Sequence, residues 1–457
     1  MLATTPCQSD STARAFLAKC SFSTDASGPG ITFAQFRGTP NEDRFSISEE
    51  WELGGHIWQF IAVFDGHGGS TTADYLERYF PSYIRTSMER TFSSSNQGFE
   101  DSCFSVSRST MISQPNTDTN TTGDSSATTR NVFTEKSVSE FLTRQVRAFD
   151  NELGNAVKAI LQNLDSKELA DDKRVSGLYE ANKEVIARAR CGSTMAAVLV
   201  DKSENRMWVC SVGDSSVVFS TKIPSSNKRK SVLLNRHHTG QDPREYHRVS
   251  MDHPSQERET IWLNDGERIF GTLSMTRAFG DYMYKLHRSY TTALFSKVPS
   301  TAMKSVENVL KYSRTPPYVI ADPFVTFVDL GTFEPDEDPA VLIYSDGLET
   351  LAYTLSVALN KRPLHTHEDE HRDALTPVDV IGTLLGQPLD PLSAFPSSGC
   401  LITSREIENN ESFALMYNLL NRTIPMKLSA HLIADESGED MYIDDVTVVV
   451  YRLFPRS

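Results

Sequence analysis

One stretch of the sequence joins a hydrophobic strand to residues that could do chemistry. Residues 60–64 are apolar and of strand-forming type, and Asp65, Gly66 and His67 follow them directly. A carboxylate at a strand end is held rigidly and offers a hard oxygen ligand to a cation. Gly66 permits a close backbone approach, so its carbonyl could be a second oxygen ligand. Taken alone, the stretch is equally a strand that ends in an Asp-Gly turn.

Further acids flank other predicted strands, and their number favours a metal site. In antiparallel pairing the start of one strand lies beside the end of its neighbour, so acids from several strands can meet at one end of a sheet. The strand at residues 45–47 is expected to pair with residues 60–64 as a hairpin with its turn at Gly54-Gly55, which would bring Glu42, Asp43 and Asp65 to one end of the sheet. Such a cluster repels itself unless a cation neutralises it. The acids are Glu42 and Asp43 before residues 45–47, Asp214 in a predicted hairpin between residues 208–212 and 216–219, Asp346 after residues 341–345, and Asp444 and Asp445 before residues 446–451.

Seven short motifs containing these residues resemble, in order, those of the metal-dependent protein phosphatases of the type 2C serine/threonine class. The resemblance extends over roughly residues 31 to 453. A closer likeness, to the catalytic subunit of mitochondrial pyruvate dehydrogenase phosphatase, rests on residues 237–245, 253–254 and 314–318. The motifs are Glu42-Asp43-Arg44, Val63 to Gly69, Cys191-Gly192-Ser193-Thr194, Val212-Gly213-Asp214-Ser215, Arg277-Ala278-Phe279-Gly280-Asp281, Ser345-Asp346-Gly347 and Asp444-Asp445-Val446-Thr447.

The resemblance implies an α+β fold in which two antiparallel β-sheets pack as a sandwich flanked by helices, a four-layer αββα phosphatase fold. The residues alone indicate only a mixed α+β chain. Apolar residues at helical spacing predict helices over residues 70–90 and 138–163. The predicted organisation is a leader over residues 1–30, either disordered or a transit peptide, and one phosphatase domain over residues 31–455. A Ser- and Thr-rich insertion near residues 93–131 is predicted to be disordered.

The resemblance also implies roles for individual residues. Asp65 would bridge two Mg²⁺ or Mn²⁺ ions, the Gly66 carbonyl would bind one of them, and Asp346 and Asp444 would bind the other. Glu42 and Asp43 would support these ligands through bound water. An all-oxygen ligand set favours Mg²⁺ or Mn²⁺ over zinc. With Asp65, His67 is the expected catalytic residue, as a proton donor to the leaving oxygen of phosphoserine or phosphothreonine. The alternative for His67 is a histidine that only caps the turn.

Two departures from the family pattern affect the expected site. The arginine that grips the substrate phosphate in most relatives falls at Gly38, and Arg37 is the candidate to replace it. The usual Asp-Gly-x-Trp-acid motif continues after Asp346-Gly347 as Leu348-Glu349-Thr350. Either Glu349 takes the role of the final acid or Thr350 has replaced it. A third metal ion, which would need Asp214 together with that acid, depends on this choice.

Composition excludes several other classes of protein. The chain has 457 residues, a net charge of −15 and a pI near 5.3, which argues against nucleic acid as the main partner. No apolar run is long enough to predict a transmembrane segment. The six cysteines form no Cys-x-x-Cys pair, and none has an arginine six positions later, so the thiolate mechanism of tyrosine phosphatases has no candidate residue.

The predicted function is therefore a metal-dependent serine/threonine protein phosphatase with a phosphoprotein substrate, for which the closer likeness suggests the pyruvate dehydrogenase complex. A general cytosolic type 2C phosphatase is the alternative enzyme, and a pseudophosphatase that only binds is the alternative class. The retention of Asp65, His67, Asp346 and Asp444 favours an enzyme. The expected location is intracellular, in the mitochondrial matrix or, alternatively, in the cytoplasm.

Overall fold

The computed structural model describes residues 21–28, 30–37, 41–93, 133–162, 164, 168, 171–224, 226, 228–263, 267–299, 303–361, 374–387, 410–434 and 444–455, and the structural statements below concern these residues. The strands are β1 Ser21–Gly28, β2 Ile31–Arg37, β3 Arg44–Ile47, β4 Trp51–Leu53, β5 His56–Phe64, β6 Gly66–His67, β7 Gly192–Ser193, β8 Met195–Asp201, β9 Arg206–Val212, β10 Ser216–Lys222, β11 Arg229–Leu233, β12 Trp262–Leu263, β13 Arg268–Ile269, β14 Phe279–Gly280, β15 Phe324–Asp329, β16 Ala340–Tyr344 and β17 Val446–Arg452. The α-helices are α1 Thr71–Ser93, α2 Glu135–Leu161, α3 Asp172–Ala181, α4 Lys183–Arg190, α5 Pro243–Asp252, α6 Arg258–Ile261, α7 Tyr282–Lys285, α8 Arg288–Ala293, α9 Met303–Tyr312, α10 Asp346–Asn360, α11 Pro377–Leu384 and α12 Glu411–Ala434.

The first sheet is antiparallel and has the strand order β1-β2-β17-β16-β10-β11. Strands β16 and β17 are neighbours, and Tyr344 at the end of β16 lies opposite Val448 near the start of β17. The acids that follow β16 and precede β17 therefore come to the same end of this sheet, because antiparallel neighbours exchange starts and ends.

The second sheet has the order β15-β9-β8-β5-β3, and β4 also pairs with β5. Arg44 at the start of β3 lies opposite Phe64 at the end of β5, which puts the segment before β3 beside Asp65. This pairing was predicted and is confirmed. The tight turn at residues 54–55, however, joins β4 to β5 rather than β3 to β5, because β4 forms its own short pairing first.

The two sheets pack face to face, and helices cover both outer surfaces. Apolar side chains from the two inner faces form the central core, among them Ile61 and Val198 from the second sheet and Ile343 and Val449 from the first. Helices α10, α11 and α12 pack on the outside of the first sheet, and α1 and α2 on the outside of the second. The predicted four-layer αββα arrangement is therefore confirmed.

The two predicted long helices are present with shifted ends, α1 at Thr71–Ser93 and α2 at Glu135–Leu161. Each buries one apolar stripe, for example Leu76, Phe80 and Ile84 of α1, as the spacing predicted. In the part of the chain that the structure describes, no helix is both long enough and apolar enough to cross a membrane.

A small ribbon at one end of the sandwich links three of the sequence motifs. It consists of β6, β7 and β14, with His67 opposite Gly192 and Gly280 opposite Gly192 on the other side. The insert between β11 and β15 carries α5 to α9 and packs through its own hydrophobic cluster against the end of α2 and against α4. The ribbon and the insert together close one side of this end of the sandwich.

Two predictions about the chain differ from the structure. The hairpin around Asp214 is wrong, because β9 belongs to the second sheet and β10 to the first, so the turn between them crosses the sandwich. Sequence alone cannot tell these apart, since a crossing turn and a hairpin turn both join two buried strands. The leader predicted over residues 1–30 contains a strand, Ser21–Gly28, that pairs with Ile31–Arg37, so disorder does not extend over this segment; the leader itself stays a prediction. Residues 1–20 and 94–131 lie outside the described residues, so the disordered leader and insertion stay predictions there.

Candidate active site

A cleft of about 330 Å³ opens at the end of the sandwich where the predicted acids meet. Acids from both sheets line one wall, and residues of the insert line the other. The acidic wall contains Glu42, Asp65, Asp214, Asp346 and Asp444, with Gly66 and His67 from the ribbon. The fold thus brings residues that are hundreds of positions apart in the chain to one cleft.

Three of these carboxylates form a tight cluster. Asp65, Asp214 and Asp346 each contribute one oxygen, and these oxygens lie within 4.8 Å of one another. Asp65 follows β5 of the second sheet, Asp346 follows β16 of the first, and Asp214 lies in the turn that crosses between the sheets. That crossing, which the sequence did not predict, explains why Asp214 joins the other two.

The electrostatics of the cluster are those of a site that could hold a cation. Burial, and then repulsion from Asp346 and Asp43, hold the pKa of Asp65 well above its ordinary value. Burial, with repulsion from Asp214 and Asp444, raises the pKa of Asp346 to about 8. One carboxylate oxygen of Asp214 is buried with no hydrogen-bond partner among the described residues. Buried like charges and an unsatisfied acceptor fit a divalent ion bound by hard oxygen ligands.

Glu42 and Asp43 lie beside the cluster in different environments. The backbone N–H of Glu42 donates to a carboxylate oxygen of Asp445 at 2.7 Å, and the Glu42 side chain faces the cleft. Asp43 is 1 % exposed and accepts a hydrogen bond from the Ser345 hydroxyl at 2.6 Å. Burial raises the pKa of Asp43 to about 7 despite that bond. Asp43 therefore ties the segment before β3 to the end of β16, which fixes the spacing between the two sheets here.

Gly66 is enclosed by backbone. A Cβ atom on this residue would lie 2.4 Å from the Glu42 carbonyl oxygen, so only glycine fits between β6 and the segment before β3. The preceding Asp65 carbonyl accepts the Thr194 N–H at 2.8 Å. These contacts hold the Asp-Gly segment rigidly at the cleft, where the Gly66 carbonyl is the predicted metal ligand.

His67 has a partner that was not predicted. Its Nε2 lies 2.6 Å from a carboxylate oxygen of Asp281, the residue that follows β14. Burial lowers the pKa of His67, but the Asp281 charge and hydrogen bond outweigh it, so the net pKa is raised. Asp281 closes the fifth sequence motif, and its type and position could have marked it as a site residue; nothing in the sequence shows its pairing with His67.

Glu349, one of the two alternatives for the final acid of the motif, has partners away from the cleft. The Glu349 carboxylate accepts hydrogen bonds from the hydroxyls of Ser216 at 2.9 Å and Tyr344 at 3.2 Å. It therefore faces the start of β10, and neither it nor Thr350, which is exposed, is among the residues that line the cleft. From their positions, Asp214 and Asp346 would be the carboxylate ligands of a third metal ion. This third site stays a prediction.

Arg37 ends β2, and its backbone pairs with Ser21; its side chain lies outside what the structure describes. Its role in phosphate binding therefore stays a prediction. Arg190 was not singled out in the sequence, yet it is 2 % exposed, ends α4 and lines the cleft beside Gly68. The only sequence signal for it is its position directly before the Cys191-to-Thr194 motif.

The segments with the closer subgroup likeness mainly hold the insert together. Glu245 accepts hydrogen bonds from Arg248, Arg277 and the Thr276 hydroxyl, which links α5 to the fifth motif. His253 stacks on Tyr318 with ring centroids 4.2 Å apart. The cleft wall on this side comes instead from other residues of the insert, including Arg268, Ser274, Met283 and Ser305.

Comparisons with known proteins find similarity to protein phosphatases. The family model described as "Protein phosphatase 2C" matches residues 129–353, a range that contains Asp214, Asp281 and Asp346 but not Asp65, His67 or Asp444. A protein phosphatase 2C homolog of Schizosaccharomyces pombe is 25% identical over 312 residues, which cover 66% of this chain and 55% of that protein. The mitochondrial [pyruvate dehydrogenase [acetyl-transferring]]-phosphatase 1 of Saccharomyces cerevisiae is 22% identical over 307 residues, or 65% of this chain and 43% of that protein.

The chain spans about half the length of these curated relatives. Among solved structures, a serine-threonine phosphatase 2C from Toxoplasma gondii aligns with 95% of this chain and 94% of its own, at 12% identity and a TM-score of 0.42.

Proposed function

We propose that this chain, which carries a domain of the protein phosphatase 2C family, is a metal-dependent protein serine/threonine phosphatase. The observation that carries the proposal is the cluster of Asp65, Asp214 and Asp346 oxygens within 4.8 Å, next to His67 in an open cleft. We also propose residues 31–455 as a single phosphatase domain, since the first sheet pairs β2 with β17, the strands from the two ends of this range.

In this proposal different residues of the cleft bind the metal ions, donate the proton and bind the phosphoryl group. Asp65, the Gly66 carbonyl, Asp346 and Asp444 would hold two Mg²⁺ or Mn²⁺ ions, with Glu42 and Asp43 in support. When bound, such ions activate water and neutralise charge on the phosphoryl group. His67 donates a proton to the leaving seryl or threonyl oxygen, since an alkoxide is a poor leaving group. Arg190 and Arg37 are the candidates to bind the phosphoryl oxygens, because guanidinium groups match their geometry.

The test is hydrolysis of a phosphothreonine peptide by the purified full chain. We expect no turnover after exhaustive chelation and recovery on adding Mg²⁺ or Mn²⁺, because the ligands are all oxygen. Activity that survives chelation, or full activity with zinc alone, would contradict the proposal. A folded chain that binds Mg²⁺ but hydrolyses no phosphopeptide would instead indicate a binding module.

We propose further that the physiological substrate is a phosphoserine of the mitochondrial pyruvate dehydrogenase complex, and that the protein acts in the matrix. The support is the subgroup likeness of the insert and the name of the S. cerevisiae relative. The insert also forms the cleft wall opposite the acids, where a protein substrate would contact it. Deletion of the gene should raise phosphorylation of the dehydrogenase, and a tagged full-length chain should be found in the matrix. Unchanged phosphorylation or a cytosolic chain would favour a general type 2C phosphatase.

A further inference from the structure

The His67–Asp281 pair is a largely enclosed polar contact at the rim of the cleft. The two side chains are 21 % and 4 % exposed, and their polar atoms lie 2.6 Å apart. The other ring nitrogen of His67, Nδ1, is buried and makes no hydrogen bond with any described residue. Among the described residues, Asp281 is therefore the hydrogen-bond partner that orients the imidazole ring.

Asp281 is itself held from several sides. It has left-handed backbone angles, with φ of 52°. Its N–H donates to the Cys191 carbonyl at 2.9 Å, and the N–H of the preceding Gly280 donates to the buried Asp150 carboxylate at 3.0 Å. The other Asp150 oxygen accepts a hydrogen bond from Lys285 at 2.8 Å. Because α2, α7 and the residue before β7 all contribute, the position of the Asp281 carboxylate is fixed by the fold rather than by a flexible loop.

Gly192 provides the space for the pair. A Cβ atom on Gly192 would lie 2.0 Å from His67 Nε2 and 2.4 Å from the Asp281 carboxylate oxygen. No side chain at this position is compatible with the contact, since real Cβ atoms do not approach so closely. The glycine of the Cys191-to-Thr194 motif is therefore a requirement of the His67–Asp281 contact.

We propose that Asp281 is a positioning residue for His67. Its carboxylate accepts the Nε2–H and so fixes the orientation of the ring, in the way that carboxylates orient histidines in other sites. The proton for the leaving oxygen then comes from Nδ1 of the doubly protonated ring, and after the transfer the neutral ring keeps its proton on Nε2. This inference rests on the proposed function, in which His67 is the proton donor. Asp281 need not touch the substrate, and its effect should appear only through His67.

A double-mutant cycle tests this dependence. Substrates are an aryl phosphate, whose leaving group needs little protonation, and a phosphothreonine peptide, whose leaving group needs a proton. Asp281→Ala should lower turnover of the peptide about ten- to hundredfold and that of the aryl phosphate less, in line with the loss of an outer partner. Asp281→Asn should show a smaller loss, since an amide oxygen still accepts the Nε2–H. In a His67→Gln background, Asp281→Ala should cause no further loss, because the residue it positions is gone.

The chain offers a matched control in a second histidine–aspartate pair. His56 and Asp201 lie at the opposite end of β5, with Nδ1 2.9 Å from a carboxylate oxygen, remote from the cleft. Asp201→Asn, or His56→Gln if the former does not fold, should lower the melting temperature and leave the ratio of aryl to peptide turnover unchanged. Gly192→Ala should reproduce the change of ratio caused by Asp281→Ala, since it displaces the same contact.

An independent readout is the tautomer of His67 by long-range ¹H–¹⁵N spectra of the Mg²⁺-supplemented chain, with His67→Gln used for assignment. At a pH high enough for the ring to be neutral, we expect the proton on Nε2 in the native chain and a mixture of tautomers in Asp281→Ala. Equal loss with both substrates, a full further loss in the His67→Gln background, or an unchanged tautomer would overturn the inference. A native chain inactive on both substrates would overturn the proposed function, whereas the tautomer result would still test the contact.

Discussion

We predict that Asp346→Asn has two opposite effects: it stabilises the metal-free chain and removes metal-dependent activity. The Asp346 carboxylate lies in the cluster whose oxygens are within 4.8 Å, and burial together with the charges of Asp214 and Asp444 opposes its ionisation. Asparagine has nearly the same shape but no charge. It therefore relieves the repulsion and weakens the ligand set at the same time.

The raised pKa gives the sign and the size of the stability effect. The pKa of Asp346 rises from 3.8 to about 8 on folding, so folding favours the protonated acid. Its contribution to stability is complete below about pH 4 and is lost as the pH rises to about 8. At about 1.36 kcal/mol per pH unit, the loss at pH 7 has an upper bound of about 4 kcal/mol. Solvent at the cleft reduces this to about 1–3 kcal/mol, since the residue is only half-buried.

The assay is thermal unfolding in excess chelator at pH 5 and pH 8, followed by a Mg²⁺ titration. For a chain of this length the entropy of unfolding is about 1 kcal/mol per degree, so the variant should melt about 1–3 °C above the native chain at pH 8. At pH 5 the difference should shrink. The rise in melting temperature on adding Mg²⁺ should be smaller in the variant, and phosphatase turnover should fall about a hundredfold or more.

Asp329→Asn is the control, because Asp329 also ends a strand but is exposed and lies outside the cleft. Asparagine at this position can still accept the hydrogen bond from the Gly331 N–H. This control variant should shift the melting temperature by less than about 1 °C and leave phosphatase turnover unchanged. If Asp346→Asn melted below the native chain in chelator at pH 8, the repulsion argument would be wrong. Near-normal turnover at saturating metal would remove Asp346 from the metal ligands.

Three further predictions address the proton donor and the insert. His67→Gln should slow peptide hydrolysis about a hundredfold and aryl phosphate hydrolysis less, with unchanged Mg²⁺ affinity by calorimetry; weaker binding would make His67 a metal ligand instead. Burial, and then the Arg277 charge, lower the pKa of His238 to about 3, so its neutral form is favoured on folding. The contribution of His238 to the free energy of unfolding should be complete above pH 6.5 and about 2 kcal/mol smaller at pH 5. His238→Asn should therefore make the free energy of unfolding, measured by denaturation at several pH values, depend less on pH. Glu245→Gln should lower the free energy of unfolding in urea by about 1–3 kcal/mol, because Arg248 and Arg277 lose their shared carboxylate. An unchanged free energy would mean that water takes the place of the carboxylate.

The sequence determined most of the local structure and the chemical character of the site. Apolar runs that end at acids predicted the strands and the meeting of carboxylates at one end of the sandwich, since antiparallel neighbours exchange starts and ends. Helical spacing predicted α1 and α2 because an amphipathic pattern reports which face is buried. The pairing of β3 with β5 followed from their proximity in the chain.

Tertiary structure alone decided which residues meet across the cleft. The turn that carries Asp214 crosses between the sheets, although its sequence suggested a hairpin, because the choice of partner strand depends on the packing of the whole sandwich. Glu349 turned to Ser216 and Tyr344 rather than to the cleft for the same reason. The contact of His67 with Asp281 joins positions 214 residues apart. A contact at that separation depends on how the ribbon and α2 pack together, and local sequence carries no signal for it.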